Sequence, residues 1–206
     1  MIEYLDTVKK IKGFIQVGAS YGQELNLLKN FSDNIILVEP LIYLQDILKS
    51  KCPTCLILPF GLGSENKKVD FYLANNGGES SSILKPKNHT IFYPDIKFSE
   101  KMEIEMRTFE SLISDYNINL EKYNVLITDT QGFDLEVLRG FGKYLNNFEL
   151  IICEYINSEL YENNSTLEQI TNYLFYFNFE LIDTFDEYLG AGNSVYMNKN
   201  YQKNTI

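Results

Sequence analysis

Glu39, Asp129 and Glu154 each follow an apolar run, and Gly18 to Gly22 form a glycine-bearing turn after another. Carboxylates and a small-residue turn collected at strand ends are groups that hold a polar, hydroxyl-bearing ligand. In Val17-Gly18-Ala19-Ser20-Tyr21-Gly22, glycine lets the chain bend tightly and approach a ligand with no side chain in the way. Glu39, closing Leu37-Val38-Glu39 ahead of Pro40, can accept both hydrogen bonds of a ribose diol. It lies about 20 residues beyond Gly18, the separation at which such an acid meets a ribose.

A dinucleotide would call for Gly-x-Gly-x-x-Gly against its pyrophosphate. Gln16 stands where the first of those glycines would lie, which leaves Gly18 and Gly22. A ligand with ribose and adenine but no pyrophosphate fits this turn better, and S-adenosylmethionine is such a ligand.

Chemistry at an acceptor hydroxyl needs a group that takes a proton. His89 is the single histidine of the chain and falls within a long irregular segment, residues 75–101. Its unperturbed pKa of about 6.5 suits proton transfer near neutral pH. Asp129 is a comparable candidate, and Glu154 can orient a hydroxyl. Ser81 and Ser82, in the Gly/Ser/Asn-rich stretch, are candidates for the acceptor or for plain loop solvation. Asp134 falls on the following helix, on a side that can face solvent, so the carboxylates make no expected metal site.

These groups need a scaffold, and the chain alternates apolar runs with amphipathic stretches. Strands are expected at 14–17, 35–38 and 56–58, with helices at 23–30 and 43–49 between them. This is the rhythm of a parallel sheet covered on both faces. A further strand is expected near 69–73, and regularity returns at 104–108 before a helix over 109–114. The segment between them, 75–101, is too long to be idle in a compact domain and reads as an active-site cover or substrate loop. Strands follow at 125–127 and 150–153, the first leading into a helix that Gly140 would cap. A helix over 167–175 precedes a terminal antiparallel pair, 179–182 with 194–197. No repeat or linker divides residues 1–206, so one domain is expected.

Eighteen basic and 28 acidic residues give a formal charge of -10, which offers no general attraction for nucleic acid or an anionic membrane. A neutral or cationic acceptor is electrostatically easier than a highly phosphorylated one. No window is long and apolar enough for a membrane span, and no secretory signal pattern opens the sequence, so a cytoplasmic location is expected. Cys52-Pro53-Thr54-Cys55 precedes an apolar run instead of following a strand and opening a helix, and reads as structural.

On Val17-Gly18-Ala19-Ser20-Tyr21-Gly22, on Val38-Glu39-Pro40, and above all on Ile127-Thr128-Asp129-Thr130-Gln131-Gly132 through Leu138-Arg139-Gly140, the chain resembles the FkbM family of S-adenosylmethionine-dependent methyltransferases. The resemblance spans roughly Gly13 to Met197, with Glu154 and Gly192-Asn193-Ser194-Val195-Tyr196 in the family's order. It implies an α/β Rossmann-like class I methyltransferase fold, a seven-stranded, mostly parallel sheet with an antiparallel C-terminal strand. It also implies that Gly18, Ala19, Ser20 and Gly22 surround the methionine part of the cofactor, that Glu39 holds the ribose, and that Asp129 sits beside the amino-acid end or the transferred methyl. O-methylation of a sugar or other hydroxylated small molecule is the implied reaction.

The chain departs from the family pattern at four places. Gln16 stands for an acid, Thr128 for a lysine, Gln131 for a glutamate and Ser20 for an asparagine. These changes keep open the alternative of a noncatalytic cofactor-binding or partner-binding domain. The aromatic tail around Tyr173, Phe175, Tyr176, Phe177 and Phe179 would then matter, though it reads more readily as core.

Overall fold

The computed structural model describes residues 1–202. The chain runs through α1 (Ile2–Leu5), β1 (Phe14–Val17), α2 (Leu25–Lys29), β2 (Ile35–Val38), α3 (Ile42–Lys51) and β3 (Leu56–Leu58). Then come β4 (Gly61–Leu62), β5 (Lys67–Leu73), α4 (His89–Phe92), β6 (Glu100–Arg107) and α5 (Phe109–Tyr116). The remainder is β7 (Val125–Thr128), α6 (Asp134–Phe141), β8 (Leu150–Ile156), α7 (Leu167–Phe175), β9 (Phe179–Tyr188), β10 (Ala191–Asn198) and α8 (Lys199–Gln202).

Seven strands form one sheet in the order β3-β2-β1-β7-β8-β10-β9. Five of them pair in parallel, and β10 runs antiparallel to both β8 and β9. Every residue of β1, β2 and β7 is buried, as expected of parallel strands covered on both faces. Alternation within β1 divides the core. Ile15 and Val17 face a cluster built with Phe109, Val137 and Leu174 of α5, α6 and α7. Phe14 faces the opposite layer with Leu5, Leu25 and Leu48 of α1, α2 and α3. Helices therefore cover both faces. α7 starts on a capping box, in which the Thr166 side chain accepts from the Gln169 amide and Gln169 accepts in return.

Several sequence expectations need correction. A second sheet, β4-β6-β5, was not foreseen. Its strand β6 begins inside the segment expected to be irregular, and α4 also interrupts that segment. Gly140 does not cap its helix but lies within it, where a Cβ would overlap the Gly63 carbonyl. The cap is Gly142. Strand β8 runs on to Ile156, so Glu154 lies inside it, because β10 extends the ladder with Asn193 opposite Glu154. The aromatic tail is mixed: Phe179 is core, but Phe175 and Tyr176 are 65% and 83% exposed. Cys52 and Cys55 are disulfide-bonded just beyond the C-terminal end of α3. Among the described residues no helix is long and apolar enough to cross a membrane.

Candidate active site

The carboxyl ends of β1, β2 and β7 meet at one edge of the sheet, the place where open parallel sheets receive ligands. The ladder carries on past the strands. Gly18 N–H donates to the Val38 carbonyl, Glu39 N–H to that of Leu58, and Asp129 N–H to that of Val17. Gly18 takes φ +77°, and a Cβ there would overlap the Asp129 carbonyl oxygen. Only glycine lets the first turn lie against the third strand end.

Glu39 is 4% exposed, and its two carboxylate oxygens accept from the backbone N–H groups of Ser20 and Leu41, each at 2.9 Å. Burial pushes its carboxyl up to about 7, against the downward pull of those two donors. Gly18, Ser20, Glu39 and Asp129 line a common cleft. Ala19 and Gly22 do not. Ala19 is fully buried in the core beneath, and its N–H and that of Gly22 bond within the turn and to Val38. They shape the turn and stand behind the cleft surface. Leu41, Phe60, Ile104 and Phe133 give the cleft an apolar wall.

The segment 76–83 forms its roof through Gly78, Glu79, Ser81 and Ile83. Tyr21 and Tyr43 both donate their hydroxyls to the Gly77 carbonyl at 2.9 Å. Ser81 and Ser82 are buried and help build the loop: Ser81 Oγ accepts from Ala74 N–H, and Ser82 Oγ donates to the Gln131 carbonyl and accepts from Leu84 N–H. Ser82 is thereby committed to the loop, whereas Ser81 also lines the cleft with its hydroxyl proton still available to a ligand. Beneath this roof the cleft encloses about 550 Å³ of empty space, its open mouth included.

Behind the cleft stand three carboxyl groups. Asp129 opens on the cleft, Glu154 is half-buried and Asp134 is fully buried. Asp134 does not face solvent as expected; it folds under the turn, and Oδ1 accepts from Thr130 N–H at 3.2 Å. Burial and then the neighbouring Asp129 charge push its carboxyl up to about 7. Burial, then Asp129 and Asp134, raise Glu154 further from the ordinary carboxylate range. Asp129 is exposed at the cleft, yet the protein atoms packed around its carboxyl group displace water and raise it, with a hydrogen bond from Gln131 opposing. Glu154 Oε2, Asp134 Oδ2, Ser20 Oγ and Thr130 Oγ1 are buried and have no hydrogen-bond partner. Among the described residues no group of three or more His, Cys, Asp or Glu is arranged to hold a metal ion.

His89 is separated from this cleft edge. It is 2% exposed and its ring packs against Tyr93, Phe98 and Tyr161, with centroids 4.9, 5.1 and 5.3 Å away. Burial lowers its pKa, so the ring is a neutral member of an aromatic cluster. The departures from the family pattern also have places. Thr128 is buried and donates to Cys153 Sγ, and Gln16 is buried with Nε2 donating to Glu24 Oε2 at 2.9 Å. Phe60 lines the cleft, as its place after the third strand suggests, while Tyr161 and the cleft position of Phe133 escaped the sequence reading.

Residues 16–181 match the family described as Methyltransferase FkbM domain. The 2-O-methyltransferase NoeI of Sinorhizobium fredii (strain NBRC 101917 / NGR234) is 30% identical over 130 residues, 60% of this chain and 52% of that protein. The chain thus spans about half the length of the curated relative it matches. Methyltransferase FkbM from Methylobacillus flagellatus KT superposes with a TM-score of 0.59 at 13% identity, covering 91% of this chain and 43% of that one. The ribosomal protein L11 methylase from Lactobacillus delbrueckii subsp. bulgaricus gives 0.54 at 9% identity, covering 96% and 76%. At such identities the two structures speak for the fold alone, and that fold is the class I methyltransferase fold. The chain belongs to the FkbM methyltransferase domain family.

Proposed function

We propose that the chain binds S-adenosylmethionine in the strand-edge cleft and transfers its methyl group to a hydroxyl of a small acceptor, a saccharide being the leading class. The observation that carries the reading is Glu39, fixed by the amides of Ser20 and Leu41 beside the Gly18 turn, in the same cleft as Asp129. The residues fit the ligand. Glu39 still has free lone pairs for a ribose diol. Phe60, Leu41 and Ile104 offer apolar surface to a base. Ser20 Oγ and Thr130 Oγ1 are unpartnered polar groups of the kind that an amino-acid tail would satisfy.

S-adenosylmethionine, when bound, supplies a methyl group already activated as an electrophile. What remains to the protein is to hold an acceptor oxygen in line and to receive its proton. Orientation of this kind is worth about 7–11 kcal/mol at best. Asp129 is the proton acceptor in this reading, because it opens on the cleft and its pKa is raised, which makes its carboxylate a stronger base. Glu154 stands behind it, off the cleft surface, and acts on the acceptor only through Gln131 and Asp129. His89 has no role in proton transfer here, since it is locked among aromatic rings. The 2-O-methyltransferase name of the NoeI relative supports oxygen as the acceptor atom.

The test is isothermal titration calorimetry with S-adenosylmethionine against NAD, followed by transfer of a labelled methyl to a panel of mono- and oligosaccharides. Selective micromolar binding and labelled sugar are expected. A folded sample that binds neither ligand sinks the proposal.

A further inference from the structure

We infer that Gln131 is the positioning residue of this site: its amide clamps Asp129 and Glu154 side by side and sets which of them faces the acceptor. The inference deepens the methyltransferase reading and rests on it for the identity of the acceptor.

The geometry is fully determined. Gln131 Nε2 donates to Asp129 Oδ1 at 2.9 Å and to Glu154 Oε1 at 3.0 Å, which uses both of its protons. Its Oε1 lies 3.2 Å from the Tyr161 hydroxyl, which also donates to the Ser80 carbonyl at 2.8 Å. Turning the amide over would aim its carbonyl oxygen at two carboxyl groups, so chemistry fixes the orientation. The backbone is committed too. Gln131 has φ +54°, a left-handed conformation that costs a residue with a side chain, and the structure holds it there. Ser82 Oγ donates to its carbonyl at 2.9 Å, and Ser165 donates to the next carbonyl, Gly132, from both N–H and Oγ at 2.8 Å. The roof loop and the loop before α7 are thus both tied to the backbone carbonyls of Gln131 and its neighbour.

The electrostatic setting favours an amide here over the glutamate of the family pattern. The titratable groups that act on the pair are Glu24, just ahead of α2, and Asp134 of α6, while the pair in turn raises Cys153 of β8, Tyr93 and Tyr161. All of them are acids. Among the described residues no Lys or Arg forms an ion pair with Asp129, Asp134 or Glu154. Two carboxyl groups held this close carry one proton between them more easily than two charges. The amide supplies two donors to that unit without adding charge. A glutamate in its place would bring a third carboxylate and at most one proton.

The test reads the carboxyl groups directly, in the protein without added ligand. Side-chain 13C NMR titration should resolve Asp129 and Glu154 as a coupled pair, with both Gln131 amide protons shifting in step with them. Gln131→Glu should move the mean of the two titrations up by about one pH unit, and Gln131→Met, of similar shape and with no donors, by less. The acidic limb of the methyl-transfer pH profile should move up with them. Titrations identical to wild type in either variant, or wild-type amide protons indifferent to the carboxyl titration, would overturn the inference; the wild-type measurement stands even where a variant fails to fold. A wild-type protein with the coupled titration but no methyl transfer would leave the clamp intact and remove only the proposed reaction.

Discussion

Gly18 lies against the carbonyl of Asp129 so closely that no Cβ fits between them. Two strand ends separated by more than half of the chain are thereby in backbone contact, and the cleft takes its shape from that contact. Gly18→Ala must both adopt φ +77° and push Asp129 aside. We expect a loss of about 3 kcal/mol in urea unfolding and at least a tenfold loss of S-adenosylmethionine affinity by calorimetry. Gly142→Ala is the comparison: at φ +50° and ψ -127° it strains an alanine by about 2 kcal/mol, but nothing lies within 4 Å of a new Cβ, so S-adenosylmethionine affinity should stay unchanged. Equal losses of affinity in the two variants would refute the close-approach argument.

Glu39 makes both stability and binding depend on pH, in opposite senses. Its carboxyl is raised from 4.5 to about 7 by burial, so in that window the folded protein keeps a proton that the unfolded chain has lost. Stability is therefore greatest below the unfolded value and falls as pH rises through the window. Ligand binding should run the other way, since a ribose diol is best accepted by the ionised carboxylate. Affinity for S-adenosylmethionine should rise from pH 6 to pH 8, with proton release seen as a buffer-dependent heat. Glu39→Gln should flatten both dependences, and a wild-type affinity independent of pH would count against the assignment.

The tip of the roof is pinned at one acceptor, the Gly77 carbonyl shared by Tyr21 and Tyr43. Partly exposed hydrogen bonds of this kind contribute about 1 kcal/mol each, and less when they share an oxygen. The Tyr21→Phe/Tyr43→Phe double variant should speed amide exchange over 76–80 by about tenfold while leaving the global unfolding midpoint within a degree or so. Association with S-adenosylmethionine should quicken. Unchanged exchange would mean that Ser81, Ser82 and Tyr161 hold the roof without the two tyrosines.

The sheet was legible because Phe14–Val17, Ile35–Val38 and Val125–Thr128 are apolar runs broken only by Gln16 and Thr128, and parallel strands buried on both faces read as near-continuous apolar runs. Glu39 and Asp129 were legible because a polar residue directly after such a run has to emerge at the sheet edge. The failures share a cause, which is that partners distant in sequence decide a side chain's surroundings. His89 was visible as a residue type, but Tyr161 and Phe98, which enclose it, belong to other segments. Asp134 sits in a first helical turn, where an acid usually faces water, and only the folding back of Thr130 over it buries it. The small sheet was hidden because Gly61–Leu62 contributes just two residues to it.

The central place of β1, flanked by β2 on one side and by β7 on the other, also sets an order of assembly. Phe14 pairs with Ile35 soon after both are synthesised, but its partner Val125 arrives far later. Such long-range pairing slows folding, because the entropy of closing the loop is spent before the contact rewards it. Until β7 emerges, the growing chain carries Phe14-Ile15-Gln16-Val17 as an open apolar edge. That edge is the piece of this protein most in need of a chaperone on the ribosome.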